Sequence, residues 1–202
     1  YIRDISEIRI MMERSTRFLS LSGWAGIMAG IYALVGAYVG YEVLHFNPGN
    51  VLDPYYSEAG FTPRLFKVVL LATAVLFLAI VTAFVLSTRK AESRNEKVWN
   101  PTSRRLLINM SVPLVAGGML ALIFLSKGLL GLIAPVTLIF YGLSLFIASK
   151  FTFEDIKVLG LVNIILGVVS SYFIQYGILL WAIGFGVAHI IYGIYVHYKY
   201  EE

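Results

Sequence analysis

"GWAGIMAGIYALVGAYVGYEVLHF", residues 23–46, is apolar almost throughout, yet it carries glycines at positions 23, 26, 30, 36 and 40. In water, each glycine inside a helix costs roughly 1 kcal/mol relative to alanine, so a soluble protein would use such a stretch as loop or strand. In lipid the reading reverses, because apolar side chains gain little by leaving one apolar medium for another. Helix association there depends on close approach of backbones, which small residues permit. Gly26, Gly30, Ala33, Ala37 and Gly40 step by three and four residues and so line one face of a single helix. Two readings fit this stripe: internal packing against another helix, or a docking face for a second subunit.

The rest of the chain places the stripe in a bilayer. Of its 202 residues 58% are hydrophobic and 14% charged, with mean hydropathy +0.78. That is too much apolar surface for one soluble core to hide and too little charge to cover it. Charge-free windows of about 20 residues, the length that crosses a bilayer, occur at 19–41, 68–88, 106–126 and 128–149. The window 158–196 is long enough for two more, turning near Gln175, Tyr176 and Gly177. The expectation is an all-α polytopic bundle of six transmembrane helices spanning 19–202, preceded by an amphipathic helix over 1–18. Arg14 and Arg17 precede the first apolar run, but that run exceeds the about 7 to 15 residues of a secretory signal core and has no small-residue break. It reads as a retained span.

Lysine and arginine set the orientation. Arg3, Arg9, Arg14 and Arg17 lie in the tail, and Arg89, Lys90, Arg94, Lys97, Arg104 and Arg105 surround the second loop. Lys150, Lys157 and Lys199 fall on the same side, leaving only Arg64, Lys67 and Lys127 opposite. Basic loops resist translocation, so the expected location is a bacterial inner membrane with both termini cytoplasmic. The high pI then reports topology, and no nucleic-acid partner is expected.

Local signals mark the helix ends. Thr62 with Pro63, and Asn100 with Pro101, are cap-plus-proline pairs at helix starts. Thr152, followed by Glu154 and Asp155, predicts the start of the fifth span. Pro113 and Pro135 fall inside the third and fourth spans, where each would free the carbonyl four residues earlier, at Asn109 and Gly131. Asn109, Ser111 and Thr137 are near enough to satisfy a kink locally; the alternative is a broken helix lining a midplane site. "LIFYGLSLFIASK" and "HIIYGIYVHYKY" align Tyr141-Gly142 with Tyr192-Gly193, as expected of tandem helical hairpins.

Polar residues inside apolar windows are the candidate ligand contacts, because burying them is costly. His189 in the sixth span reads as an interhelical hydrogen bond, a proton relay or a haem ligand; neither His45 nor His197 supplies an evident axial partner. Asn163 in the fifth span completes the candidate set with Asn109, Pro113 and Pro135. Glu42, His45, Asp53 and Glu58, around the first outer loop, offer oxygen and nitrogen donors for a divalent metal. The alternative is a solvated loop. With no cysteine, no nucleophile elbow, no phosphate loop, no zinc-protease motif and no paired intramembrane carboxylates, catalysis is not expected, and no cofactor is assigned.

The tail "EIRIMMERSTRFLS", with "MMERS" at 11–15, and "LLWAIGFGVAHIIYGI" at 179–194 resemble a family of small, uncharacterised bacterial inner-membrane proteins. The resemblance implies six spans and no activity. The hairpins also resemble the duplicated units of acid-resistance membrane proteins. Six spans with inside termini and a sizeable first outer loop resemble the membrane subunits of vitamin-uptake transporters. Three functions follow: a non-catalytic module sensing or relaying through a cytoplasmic partner, a solute carrier or its substrate-binding subunit, or a haem or metal protein; the expected partners are membrane lipid and a cytoplasmic protein or a second copy of the chain.

Overall fold

In the computed structural model the chain is described over residues 22–46, 63–93 and 99–200. The expected amphipathic helix, Thr62, Asp53 and Glu58 lie outside the described residues. Six helices and no strand occur among the described residues. Helix α1 is Gly23–Tyr38, extended by a π-helical segment, Val39–Val43. Helix α2 is Pro63–Ser93 and α3 is Pro101–Ser126. Helix α4 is Ile133–Ala148 and α5 is Ile156–Tyr172. Helix α6 runs as Gly177–Trp181, a π-helical segment Ala182–Val187, and Ala188–Tyr200. All but α5 are long and apolar enough to cross a membrane, once the short 3₁₀ turns leading into α4 and α6 are counted with them.

Sequence punctuation explains several of these boundaries. The Asn100 side chain accepts from the Ser103 amide at 2.8 Å while the Ser103 hydroxyl accepts from the Asn100 amide at 2.9 Å, a reciprocal cap beside Pro101. The chain turns at Ile174–Tyr176, where the split of the long apolar window was expected. Pro113 is buried inside α3. Three expectations are corrected. Pro135 is not a mid-span kink, because a 3₁₀ turn at Leu130–Leu132 delays α4 and puts this proline in its first turn. Thr152 does not open α5; the helix begins at Ile156, and Asp155, beside its start, makes no capping bond with its side chain. Asn109 and Ser111 do not reach the carbonyl that Pro113 frees, since their hydrogen bonds go to the carbonyls of Arg105 and Ile108.

One end of the bundle gathers the start of α1, the end of α2, the start of α3, the α4–α5 connection and the end of α6. Gly23 lies against His197, Leu106 against Ala148, the Lys90 ammonium over the Phe153 ring, and the Phe153 ring on Tyr200. The basic side chains of Arg89, Lys90, Arg104, Arg105, Lys150, Lys157 and Lys199 therefore collect at this end.

Glycines set the packing. A Cβ built on Gly23 would lie 2.5 Å from the Gly193 carbonyl oxygen, and one on Gly30 would lie 2.6 Å from that of Gly186. Alpha carbons of α1 thus rest directly on the backbone of α6. The same contact joins α4 to α5: a Cβ on Gly142 would meet the Gly160 oxygen at 2.6 Å, and one on Gly160 the Gly142 oxygen at 2.7 Å. The expected single stripe on α1 divides. Gly26 and Gly30 face α6, whereas Gly40, with the off-stripe Gly36, turns to Leu71 and Val75 of α2. Ala33 is buried between these surfaces and Ala37 is half-buried. Where the stripe is used, it is used internally. Helix α2 otherwise turns its apolar surface outward, tied to α1 by a Tyr32–Thr82 hydroxyl contact of 3.2 Å.

The two glycine contacts match in register. Gly30 meets Gly186 and Ile190, and Gly142 meets Gly160 and Ile164; Gly193 meets Gly23 and Ile27, and Gly167 meets Pro135 and Ile139. The matched segments are "GVAHIIYG" (186–193) and "GLVNIILG" (160–167). Helices α5 and α6 run in opposite directions, as do α1 and α4. The equivalence is therefore inverted, unlike the parallel alignment of α4 with α6 read from Tyr141-Gly142 and Tyr192-Gly193.

Gly30→Ala should destabilise the bundle by about 1–3 kcal/mol, because the new methyl meets backbone that cannot move aside. Gly118→Ala, where nothing lies within 4 Å of the new methyl, should be neutral or stabilising by roughly 0.5–1 kcal/mol. Reversible unfolding in mixed micelles checks both.

Candidate functional site: a buried polar core between α4, α5 and α6

The candidate residues separate in three dimensions. Asn109 is exposed on the outer surface of α3, while Pro113 is buried one turn further on. Pro135 packs its carbonyl against Gly167. Asn163 and His189 both adjoin Gly184: a Cβ built there would stand 2.8 Å from Asn163 Oδ1, and its carbonyl lies 2.8 Å from His189 Nδ1. Glu42 and His45 are exposed at the end of α1. His45 adopts φ 48°, in the left-handed region, and the Phe46 amide bonds back to the Gly40 carbonyl at 2.9 Å. His45 thus ends the helix in a conformation that histidine tolerates better than most side chains. Among the described residues no three His, Cys, Asp or Glu side chains converge on one point.

His189 is fully engaged. Its Nδ1 lies 2.8 Å from the Gly184 carbonyl oxygen and its Nε2 2.8 Å from the Tyr141 hydroxyl. A carbonyl only accepts, so Nδ1 carries the proton and donates; the neutral ring then leaves Nε2 to accept from Tyr141. The acceptor at Gly184 belongs to the π-helical segment of α6, and widened turns of this kind are frequent at functional sites. Phe185 closes the arrangement, its ring stacked on His189 at 5.9 Å and tilted against Tyr141 at 4.8 Å. An iron ligated by Nε2 would have to displace the Tyr141 hydroxyl, and no second histidine faces it. These residues do not fit the haem reading.

Asn163 is half engaged. It is fully buried, and its Nδ2 donates to the Leu159 carbonyl at 2.9 Å. Its Oδ1 has no hydrogen-bond partner, nor do the Ser170 hydroxyl and the Tyr192 hydroxyl, although all three oxygens are buried. An unsatisfied buried polar atom costs about 1–3 kcal/mol. Tyr141, Gly184, Ser170 and Tyr192 were not singled out from sequence as site residues. The available signal was the three-residue step from His189 to Tyr192 and the paired Gly184 and Gly186, which loosen one turn of α6.

A second polar group closes the basic end. Asp155 Oδ2 accepts from Lys199 Nζ at 2.9 Å and from the Tyr200 hydroxyl at 2.7 Å, and Lys199 also donates to the Tyr195 hydroxyl at 2.6 Å. Partial burial pushes the Asp155 carboxyl up, but the hydrogen bonds from Tyr200 and Lys199, with the Lys199 charge, outweigh it and hold the group below its ordinary value. Comparison of the chain with protein-family models, curated proteins and solved structures returns no match. The site has to be read from its own geometry.

Tyr141→Phe leaves Nε2 of His189 without its donor and should cost about 1 kcal/mol or more. Tyr192→Phe removes a hydroxyl that has no partner and should be neutral or stabilising. Equal losses in thermal unfolding would contradict the assignment. For Asp155 the lowered value means that its contribution is present at neutral pH and disappears as pH falls through the folded-state value. Asp155→Asn should therefore lower the unfolding temperature slightly at pH 7 and converge with the parent protein in acid.

Proposed function

We propose that the chain is a non-catalytic, six-span protein of a bacterial inner membrane, with both termini in the cytoplasm, that senses or relays a signal to a cytoplasmic partner. The proposal includes membership of the uncharacterised family that its MMERS segment resembles. The observation that carries it is the layout of α6. His189, Tyr192 and Lys199, spaced by three and seven residues, share one face of that helix. At one level this face holds the Tyr141–His189–Gly184 network; at the basic end it holds Asp155 through Lys199 and Tyr200. A small rotation or slide of α6 changes both at once. The π-helical segment supplies a place where the helix can change register locally.

The six-span count is supported by direction. Helix α4 ends at the basic end, α6 begins at the other and returns, and so α5 has to cross between them. Its 17 residues rise about 26 Å, slightly less than the hydrocarbon thickness, a mismatch that local bilayer thinning absorbs at modest cost. Collection of basic side chains at one end supports cytoplasmic placement of that end. The same end, with Arg104, Lys150 and Lys157 exposed, is where an acidic partner surface would meet the bundle.

A photo-reactive amino acid at position 104, 150 or 157 should capture one and the same protein in living bacteria. The His189→Leu variant, at equal membrane abundance, should change that yield several-fold. Capture of lipid alone, or a yield indifferent to His189, would contradict the relay.

A further inference from the structure

We propose that the widened turn of α6 is a register switch whose latch is the His189 side chain. The inference rests on the fold of α6 and not on the relay reading.

In a regular α-helix each amide takes the carbonyl four residues back. In α6 the Ala188 amide passes over that partner, the Gly184 carbonyl, and takes the carbonyl of Ile183. The Gly184 oxygen is met by the His189 ring instead, with Nδ1 at 2.8 Å. One carbonyl therefore has two alternative donors. With the ring on it the turn is wide and holds one residue more than an α-helical turn. With the Ala188 amide on it the turn closes and the ring loses its acceptor. His189 is a positioning residue: its side chain supplies the hydrogen bond that the backbone gives up. The same motif occurs in α5 without the extra residue. Asn163 stands in "GLVNIILG" where His189 stands in "GVAHIIYG". There the helix is regular from Ile156 to Tyr172, and Asn163 Nδ2 donates to the Leu159 carbonyl, four residues back, at 2.9 Å. His189 donates five residues back, so α5 displays the closed form of the turn that α6 holds open.

The glycine contacts decide which part of α6 moves. Closing the turn rotates the helix on one side of it by about 100° and shifts it by about 1.5 Å along the axis relative to the other side. The segment after the turn is held against backbone. A Cβ built on Gly193 would stand 2.6 Å from the Gly23 carbonyl oxygen and 2.7 Å from the Ile27 nitrogen, so no other residue can be turned into its place. The segment before the turn, Gly177–Trp181, is held less closely: a Cβ on Gly177 would meet the Ala134 Cβ at 3.5 Å and the Ser170 hydroxyl oxygen at 3.7 Å, ordinary contact distances. The rotation therefore falls on this outer segment. The second ring nitrogen of His189 is held by Tyr141 at 2.8 Å, and the ring is stacked on Phe185. Since Tyr141 belongs to α4, the seat of α4 against α6 bears on the latch.

The chain has no cysteine, so thiol pairs can be introduced without interference. Ala134→Cys with Gly177→Cys reads the outer segment, because the Cβ positions are 3.5 Å apart, within the spacing of a disulfide. Trp24→Cys with His197→Cys, joined by a short thiol cross-linker, reads the inner one. In membranes both pairs should join in the otherwise unaltered chain. His189→Leu should lower the outer yield several-fold and leave the inner yield unchanged, whereas His189→Asn, whose amide nitrogen stands where Nδ1 stood, should keep both. Deleting Ile183, an exposed residue of the widened turn, from the His189→Leu chain should restore the outer yield, because the extra residue is gone and both segments return to their original register. An outer yield indifferent to His189→Leu, equal losses with Leu and Asn, loss of both pairs with Leu, or no recovery on deletion while the inner pair still joins would overturn the proposal. If the deletion chain loses the inner pair as well, it has not folded, and the contrast of Leu with Asn decides. A switch without a cytoplasmic partner would give the same yields while capture at positions 104, 150 and 157 stays empty, so the two readings fail separately.

Discussion

In lipid a helix gains little by hiding apolar side chains, and the bundle is organised chiefly by close contact of backbone with backbone. Gly23 and Gly30 lie on the carbonyls of Gly193 and Gly186, and Gly142 and Gly160 lie on each other. At these distances a methyl group has no room, so the glycines are a steric requirement and their low helix propensity is outweighed. Everything else hangs on the two contacts. They hold α1 to α6 and α4 to α5, leave α2 and α3 on the outside, and set α5 beside α6 so that Asn163 and His189 both adjoin Gly184.

The architecture was readable because its signals are local. Window length separated the spans, the turn at Ile174–Tyr176 fell where Gln175 and Gly177 interrupt the apolar run, and Asn100 with Pro101 marked the start of α3. The errors came from signals with two physical outcomes. A proline in an apolar run reads as a kink, but Pro135 opens α4 because Leu130–Leu132 first tightens into a 3₁₀ turn. Thr152 beside two carboxylates reads as a cap, yet Asp155 is drawn instead to Lys199 and Tyr200, groups some 45 positions away along the chain. Long-range pairing of this kind leaves no trace in spacing.

The candidate site was half legible for the same reason. Asn163 and His189 stood out as polar residues in apolar windows, and both are buried at the core. Asn109 stood out equally but bonds the Arg105 carbonyl on the exposed side of its own helix. Whether a polar residue points inward depends on the angle at which its helix packs, and that angle is set by which glycines find each other. Tyr141, the donor to His189, looked like a repeat marker because only the fold brings residues 141 and 189 within 2.8 Å. The stripe on α1 shows the limit again: its small residues were plain, but not that two neighbours share them.

The account stands on the register of α1 against α6. Introduced cysteines at Trp24 and His197, whose rings are 5.5 Å apart, should be joined by a short thiol cross-linker in native membranes, whereas cysteines at Trp24 and Leu179 should not. Joining of the second pair in place of the first would mean that the two helices run side by side in the other sense, and the glycine contacts with all that they position would be wrong.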